Sequence, residues 1–418
     1  RADLVVASGQ AGSRRVTYYP NLGRAGVPLE RGGERSFWGP AHEMTILGTA
    51  PPPPYEGTVR GARTVDLNFD KRIDVVTSSS VGYTVWYNLG GDTYTDGEPV
   101  DGAWVGSDET AEILDLADKR VKLADLNGDR LTDVARIEPD RVVFAASLGW
   151  GRYGEAGAML LPDAFTLTPE QLDRADLQDL DGNGLADLVV ERVENRTDGS
   201  VLWCWLNLGT GSFSERRTVT GLPVVADGTK TSWADVNGNG STDLVYANSR
   251  LPEAEYRFIA VELGTAISGS PFPRLLEKID NGLGLRTEIS YRSSADYYRE
   301  VAAANPWRVS NPKPVTVVSE VKTTTGLDLD GVPGIDVQRT ELSYRDGYYD
   351  PTRRQFCGFG FVKRIVRGDE RDGLRPEDTS GPTLVERFLF HNGAPDGFAL
   401  VNGTTVVANG TNNSSANL

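Results

Sequence analysis

Four nine-residue segments of this chain carry oxygen side chains at the same four offsets. They read DLNFDKRID at 66–74, DLNGDRLTD at 125–133, DLDGNGLAD at 179–187 and DVNGNGSTD at 235–243. Positions 1, 3, 5 and 9 hold Asp66, Asn68, Asp70 and Asp74 in the first copy, and Asp125, Asn127, Asp129 and Asp133 in the second. The third copy has Asp179, Asp181, Asn183 and Asp187; the fourth has Asp235, Asn237, Asn239 and Asp243. A calcium ion takes six to eight oxygens at roughly 2.3–2.6 Å from a loop that wraps it. Alternate side chains of a tight loop point inward, so positions 1, 3 and 5 converge. Position 7 offers a backbone carbonyl, here from Arg72, Leu131, Leu185 and Ser241. Glycine at position 4 or 6 accepts the positive φ of such a bend, and Gly128, Gly182, Gly184, Gly238 and Gly240 stand there. The chemistry this predicts is structural: a Ca2+ that clamps a loop.

The same residue types also make plain turns, because Asp and Asn side chains cap backbone N–H groups without any ion. The copies are unequal on either reading. Those at Asp125 and Asp179 have the fullest ligand sets. The Asp66 copy has Phe69 and Lys71 where the others have glycine, and the Asp235 copy has only two carboxylates, which predicts weaker binding. Position 12 holds Thr77, Arg136, Val190 and Tyr246, not the Glu of an EF-hand. No amphipathic helix pattern flanks the loops.

Strands must position these loops. The starts are spaced by 59, 54 and 56 residues. Strand-like runs follow each position 9: VVTSSS, VARI, LVVERV and LVYA. Each is followed in turn by a second run ending in an Asn-Leu-Gly-like turn: WYNLGG at 86–91, AASLGWG at 145–151, WLNLGTG at 205–211 and AVELGTA at 260–266. The N-terminus repeats this grammar, with Asp3 as the last position of a fifth loop and YYPNLG at 18–23 as the turn, so the chain reads as a piece of something longer. Repeats of this length made of short strands fit propeller blades. The loop-plus-blade pattern resembles the FG-GAP/VCBS repeats of integrin-like propellers, which implies calcium in blade connections away from the central channel. The expected fold is all-β: a propeller over 1–265, a second β-rich module, sandwich-like or shell-like, over 266–395, and a polar, disordered tail over 396–418.

The second module carries a further resemblance. IDNGLGLRTEISY, PVTVVSEV, SYRDGYYDPTRRQFCGFGFV and RFLFHNG are similar to the middle region of insecticidal toxin complex B components, the TcdB/SpvB-like proteins associated with RHS repeats. The resemblance implies a secreted bacterial protein, non-catalytic, whose propeller docks on a pore-forming component and gates the passage of a cargo. Its partners would be other toxin-complex subunits or the rest of an RHS-type shell. Two family features are missing from the sequence: a run of YD-type repeats and an ADP-ribosyltransferase-like domain.

Bulk properties narrow the alternatives. A net charge of −16 over 418 residues argues against nucleic acid or an anionic membrane as partner. No run of 18 apolar residues occurs, so no membrane-spanning helix is expected. Cys204 and Cys357 make neither a disulfide framework nor a zinc site. His42 and His391 are the only histidines, and there is no G-x-S-x-G, H-E-x-x-H or P-loop, so no enzyme is expected. The competing reading is a secreted or surface adhesin, a calcium-dependent propeller binding a glycan or protein through Trp150, Trp203 and Trp205. Against it, alternate aromatics also pack between blades. Asp328, Asp330 and Asp336 imitate a further loop but suit a hairpin turn, and the prolines at 51–54 suit a stiff connection.

Overall fold

Apolar residues alternate along the strands after each Asp-rich loop, and the structure buries both halves of the alternation. Successive side chains of a strand point to opposite faces. Along Asp187–Asn195, Leu188 and Val190 join one core and Val189 joins the next. Along Gly199–Trp205, Trp203 and Trp205 join the first core while Leu202 and Cys204 join the second. One sheet earlier, Ala135, Ile137 and Val142 face forward and Val134 and Ala145 face back. Sheets that are apolar on both faces must stack, and these do, with one core in each gap.

The computed structural model describes residues 4–8, 15–19, 27–28, 35–36, 40–46, 61–79, 82–90, 93–94, 98–100, 114–195, 199–223, 229–248, 258–261, 263–301, 307, 314–325, 336–350, 353, 355–367, 370–371, 382–393, 398–401 and 405–408. They divide into two compact units, Arg1–Ala234 with Thr242–Gly269, and Asp235–Ser241 with Ser270–Leu418.

The first unit is a succession of antiparallel meanders. Arg63–Val65, Asp74–Ser79, Gly82–Trp86 and Glu98–Val100 form one four-stranded sheet. Val121–Ala124, Asp133–Ile137, Arg141–Gly149 and Arg152–Leu160 form the next. Ala175–Gln178, Asp187–Asn195, Gly199–Trp205 and Arg217–Leu222 form the third. Thr229–Ala234, Asp243–Asn248 and Phe258–Val261 form a fourth, three-stranded sheet. In all four, chain order is spatial order. Near the N-terminus Leu4–Ser8 pairs with Arg15–Tyr19, which pairs with His42–Glu43. That is the hairpin expected after Asp3, although Asp3 itself lies outside the described residues, as do the prolines at 51–54, Asp328 and Asp330. The few helices are short: Pro169–Leu172, Gly264–Ser268 and Ser294–Val301.

The second unit is built on a seven-stranded sheet. Its path runs Lys278–Asp280, Arg286–Ser293, Thr316–Thr324, Asp336–Asp350, Gln355–Val366 and Leu384–Leu389, with Glu370–Arg371 also pairing with Asp336–Asp350. The helix Ser294–Val301 lays Tyr297 edge-on against Tyr344, 5.8 Å between ring centres, and the Tyr297 hydroxyl donates to the Leu342 carbonyl at 2.8 Å. Trp307 packs edge-on against Tyr298 and Phe359. Within the stretch expected to be disordered, Phe398–Val401 and Thr405–Ala408 form an antiparallel pair.

The stacking makes Trp205, 1% exposed, a keystone of one core, whereas Trp150 is 58% exposed. Trp205→Ala should cost about 3–5 kcal/mol, the usual range for truncating a buried aromatic. Trp150→Ala should cost less than about 1 kcal/mol. Urea denaturation of the two variants checks this; equal losses would contradict the stacking.

Candidate metal centre

The last aspartate of each of the first three loops is a buried staple. Asp74 accepts the N–H of Leu67 at 3.0 Å through one oxygen and that of Asn88 at 2.9 Å through the other. Asp133 does the same for Leu126 at 2.9 Å and Ser147 at 2.7 Å, and Asp187 for Leu180 at 3.0 Å and Asn207 at 2.7 Å. All three carboxylates are fully buried. Burial raises Asp74 and Asp133 to about 6 and Asp187 to about 8, against the lowering effect of the two N–H donors; loop carboxylates nearby add to the rise. The staple joins position 2 of the loop to the turn that follows the next strand. Position 2 is a leucine, Leu67, Leu126 or Leu180, and each is buried in a core.

Sequence reasoning quoted the Asn-Leu-Gly turns as landmarks but did not connect them to position 9, and it passed over the leucine. The leucine was readable as an invariant partner of the aspartate in these three copies. The donor N–H in the turn was harder to find, because it lies 14, 14 and 20 residues on.

Adjacent loops are also stitched together. The Ala186 N–H donates to the Asp125 carbonyl at 2.7 Å and the Asn207 side-chain amide to the Leu126 carbonyl at 2.8 Å. The Trp150 N–H donates to the Leu67 carbonyl at 3.0 Å.

Positions 1, 3 and 5 wrap the backbone as Asx turns. Asp66 accepts the N–H groups of Asp70 and Lys71, Asp125 those of Gly128 and Arg130, Asp179 those of Asn183 and Gly184, and Asp235 those of Gly238, Asn239 and Gly240. Asn68, Asn127 and Asn237 accept from the residue two places on. Position 5 accepts the N–H of position 7: Asp70 from Arg72, Asp129 from Leu131, Asn183 from Leu185 and Asn239 from Ser241, at 2.8, 2.8, 2.7 and 2.9 Å. An oxygen that accepts one hydrogen bond keeps a second lone pair, so these turns do not by themselves exclude an ion.

The loops differ in what those remaining lone pairs meet. In the first, the Arg72 guanidinium is 3.3 Å from an Asp70 oxygen, a cation supplied by the chain. In the second, the Asn127 amide donates to Asp129 at 3.0 Å. In the third, one oxygen each from Asp179, Asp181 and Asp187 lie within 4.8 Å of one another, with Asp181 and Asp187 buried; among the described residues no other group of three potential metal ligands gathers this way. Burial also raises Asp179. Three carboxylates so close repel one another in a partly dry site, and a hard divalent cation with oxygen ligands matches that donor set. In the fourth, Asn239 Oδ1 accepts both the backbone N–H and the hydroxyl of Ser241, each at 2.9 Å, and its amide donates to the Pro271 carbonyl at 2.6 Å. Asn239 is thereby committed to packing. A Cβ on Gly238 would lie 2.5 Å from Pro314 Cβ, so only glycine fits there. Asp243 is buried at the start of its strand.

Neither cysteine adds chemistry. Both are free, and burial pushes the Cys204 thiol up to about 12. Of the aromatics considered for a surface site, Trp203 and Trp205 are buried in the core beside Phe165.

Residues 206–374 match the family model of the insecticide toxin TcdB middle/N-terminal region. The match covers three of the four motifs that carry the TcdB resemblance and leaves RFLFHNG, at 387–393, outside it. The fold is similar to a chain of the Photorhabdus luminescens Tc holotoxin pore, at TM-score 0.66 and 22% identity, over 91% of this chain and 16% of that one. It is similar to TcdB2-TccC3 without its hypervariable C-terminal region, at TM-score 0.56 and 19% identity, over 94% of this chain and 19% of that one. The chain thus spans under a fifth of the length of these two structures. No curated protein matches it.

Two outcomes follow from the loop geometry. Arg130 holds position 6 at φ 69°, where a left-handed backbone costs a side-chain-bearing residue about 1–2 kcal/mol; Arg130→Gly should raise stability by about 1 kcal/mol in urea denaturation. A carboxyl raised by folding contributes stability below its unfolded value near 4 and loses it as pH rises through its folded value. Without divalent cations the melting temperature should therefore fall between pH 5 and pH 8.5 through Asp187, and the fall should flatten in Asp187→Asn. Parallel profiles for the two proteins would refute the assignment.

Proposed function

We propose that this chain is a structural, non-catalytic segment of a toxin-complex B-like protein, with the stacked meanders as blades of a β-propeller. The observation that carries the reading is the order of parts: repeated meanders with Asp-rich loops, then a sheet of which all strands but Leu384–Leu389 fall within the TcdB middle-region match over 206–374. Similarity in fold to the Tc holotoxin pore and to TcdB2-TccC3 supports partners within such a complex. In this reading the protein is secreted by a bacterium, and the propeller docks on a pore-forming component and gates cargo. Among the described residues no helix is long and apolar enough to cross a membrane. The adhesin alternative loses two of its three tryptophans to the core.

Calcium belongs to the same proposal, centred on the third loop with Asp179, Asp181, Asn183 and Asp187 as ligands. The Asp125 loop is a second, weaker site. The ion holds the loop and takes no part in a reaction.

Excess EDTA should lower the melting temperature of the calcium-loaded protein. A site bound only in the native state adds about 2.7 kcal/mol at a hundred times its Kd. Asp181→Asn should remove most of this dependence, and Asp70→Asn should leave it nearly intact. A melting temperature indifferent to EDTA ends the calcium reading. For the toxin reading, the full-length protein should co-sediment with the pore-forming component of a Tc complex. A stable species that ignores that component would overturn it.

A further inference from the structure

The strand Lys278–Asp280 is three residues long, exposed throughout, and lies at the edge of the seven-stranded sheet. Among the described residues it pairs only with Arg286–Ser293. The Glu277 carbonyl accepts the Ile289 N–H at 2.8 Å, and the Asn281 N–H donates to the Leu285 carbonyl at 3.1 Å. Antiparallel residues alternate between turning both backbone groups to a neighbour and turning both away. Ile279 therefore bonds inward, and the N–H and C=O groups of Lys278 and Asp280 face outward. The hairpin around this edge is apolar. Leu275, Leu276, Ile279, Leu283 and Leu285 are all exposed, Leu283 at 85%. Asn281 Oδ1 accepts the N–H groups of Leu283 and Leu285 at 2.8 and 3.0 Å, so the tip presents Leu283 on a fixed turn.

Shortness and charge guard an edge against pairing, but guarding requires neither this order of charges nor exposed aliphatics beside it. A two-fold axis through Ile279, perpendicular to the sheet, sets Lys278 opposite Asp280 of a second copy, twice. Both residues face outward, as residues that exchange ladder bonds across an edge must. Charge alternates along the row so formed. Within one chain Lys322 stands opposite Glu288, 3.9 Å between charged atoms, and Glu288 stands opposite Lys278. Asp280 stands opposite Arg286 at 3.6 Å. The combined row reads Lys322, Glu288, Lys278, then Asp280 and Arg286 of the second copy, each sign meeting its opposite. Opposite charges in facing positions stabilise a strand pair, and like charges oppose it. The same axis puts Ile279 against Ile279 and carries Leu275 towards Leu283.

We propose that this edge is a self-association surface: two copies of the chain pair antiparallel through Lys278–Asp280 and continue one sheet across a two-fold axis. An isologous contact of this kind closes at two copies. It is small, which places it among reversible interfaces.

Sedimentation equilibrium of the whole chain over a range of concentrations tests it. A reversible monomer–dimer equilibrium is expected. Lys278→Asp sets aspartate against aspartate at both facing positions, and Asp280→Lys sets lysine against lysine. Each variant alone should dimerise about ten-fold more weakly than wild type, or worse. Mixed in equal amounts, the two variants restore opposite charges at both positions, so heterodimers should form at near wild-type affinity. Damage to the fold cannot produce association on mixing. Lys278→Pro removes an outward N–H and leaves the bonds to Arg286–Ser293 in place, so it should abolish the dimer at an unchanged melting temperature. A wild type that stays monomeric, variants that dimerise like wild type, a mixture that stays monomeric, or association that does not stop at two copies would overturn the proposal.

Discussion

One buried carboxylate accepting two backbone N–H groups organises each of the first three repeats. Without Asp74, Asp133 or Asp187, two amides per repeat would be left in a dry interior, at a cost of about 1–3 kcal/mol each. The bonds decide position as well as energy. One amide belongs to the second residue of the loop, the other to the turn at the far end of the following hairpin. Tying them to one side chain fixes where the loop leaves the sheet. That places Leu67, Leu126 and Leu180 in the cores and brings adjacent loops close enough for the Asn207 amide to reach the Leu126 carbonyl. A side chain with only one acceptor oxygen could not close both ends.

The staple explains why an Asp-rich loop can recur without every copy needing an ion. The first loop meets its charge with Arg72, the second with the Asn127 amide, the fourth by packing Asn239 against Pro271 and Ser241. Only the third converts position 3 to aspartate, and only there do three carboxylates crowd together. The repeat is first a turn-forming device. In the calcium proposal, metal binding is an elaboration that depends on which side chain stands at position 3 and whether the chain supplies its own cation.

Much of this was legible in sequence, and the limits are instructive. The four offsets, the strands opening at Asp74, Asp133, Asp187 and Asp243, and the TcdB-type motifs of the second unit all lie in contiguous residues, where a period or a motif can be read. The division of labour within a loop was not legible. Position 9 looked like a ligand equal to position 1, because a sequence does not show which carboxylate turns inward; its amide partners lie a variable distance along the chain. Trp203 and Trp205 were open to two readings, since period-2 alternation says that one face differs from the other without saying what covers it. The seven-stranded order of the second unit needed pairings between distant segments such as Gln355–Val366 and Leu384–Leu389.

Stacking has a further consequence at the sheet edges. Sheets buried on both faces leave their surplus polar backbone at their first and last strands, and exposed edges invite unwanted pairing unless they are short or charged. Arg63–Val65, Val121–Ala124 and Ala175–Gln178 are short, three, four and four residues, and they carry Arg63, Lys122 and Asp176. Edge protection alone accounts for shortness and for charge of either sign.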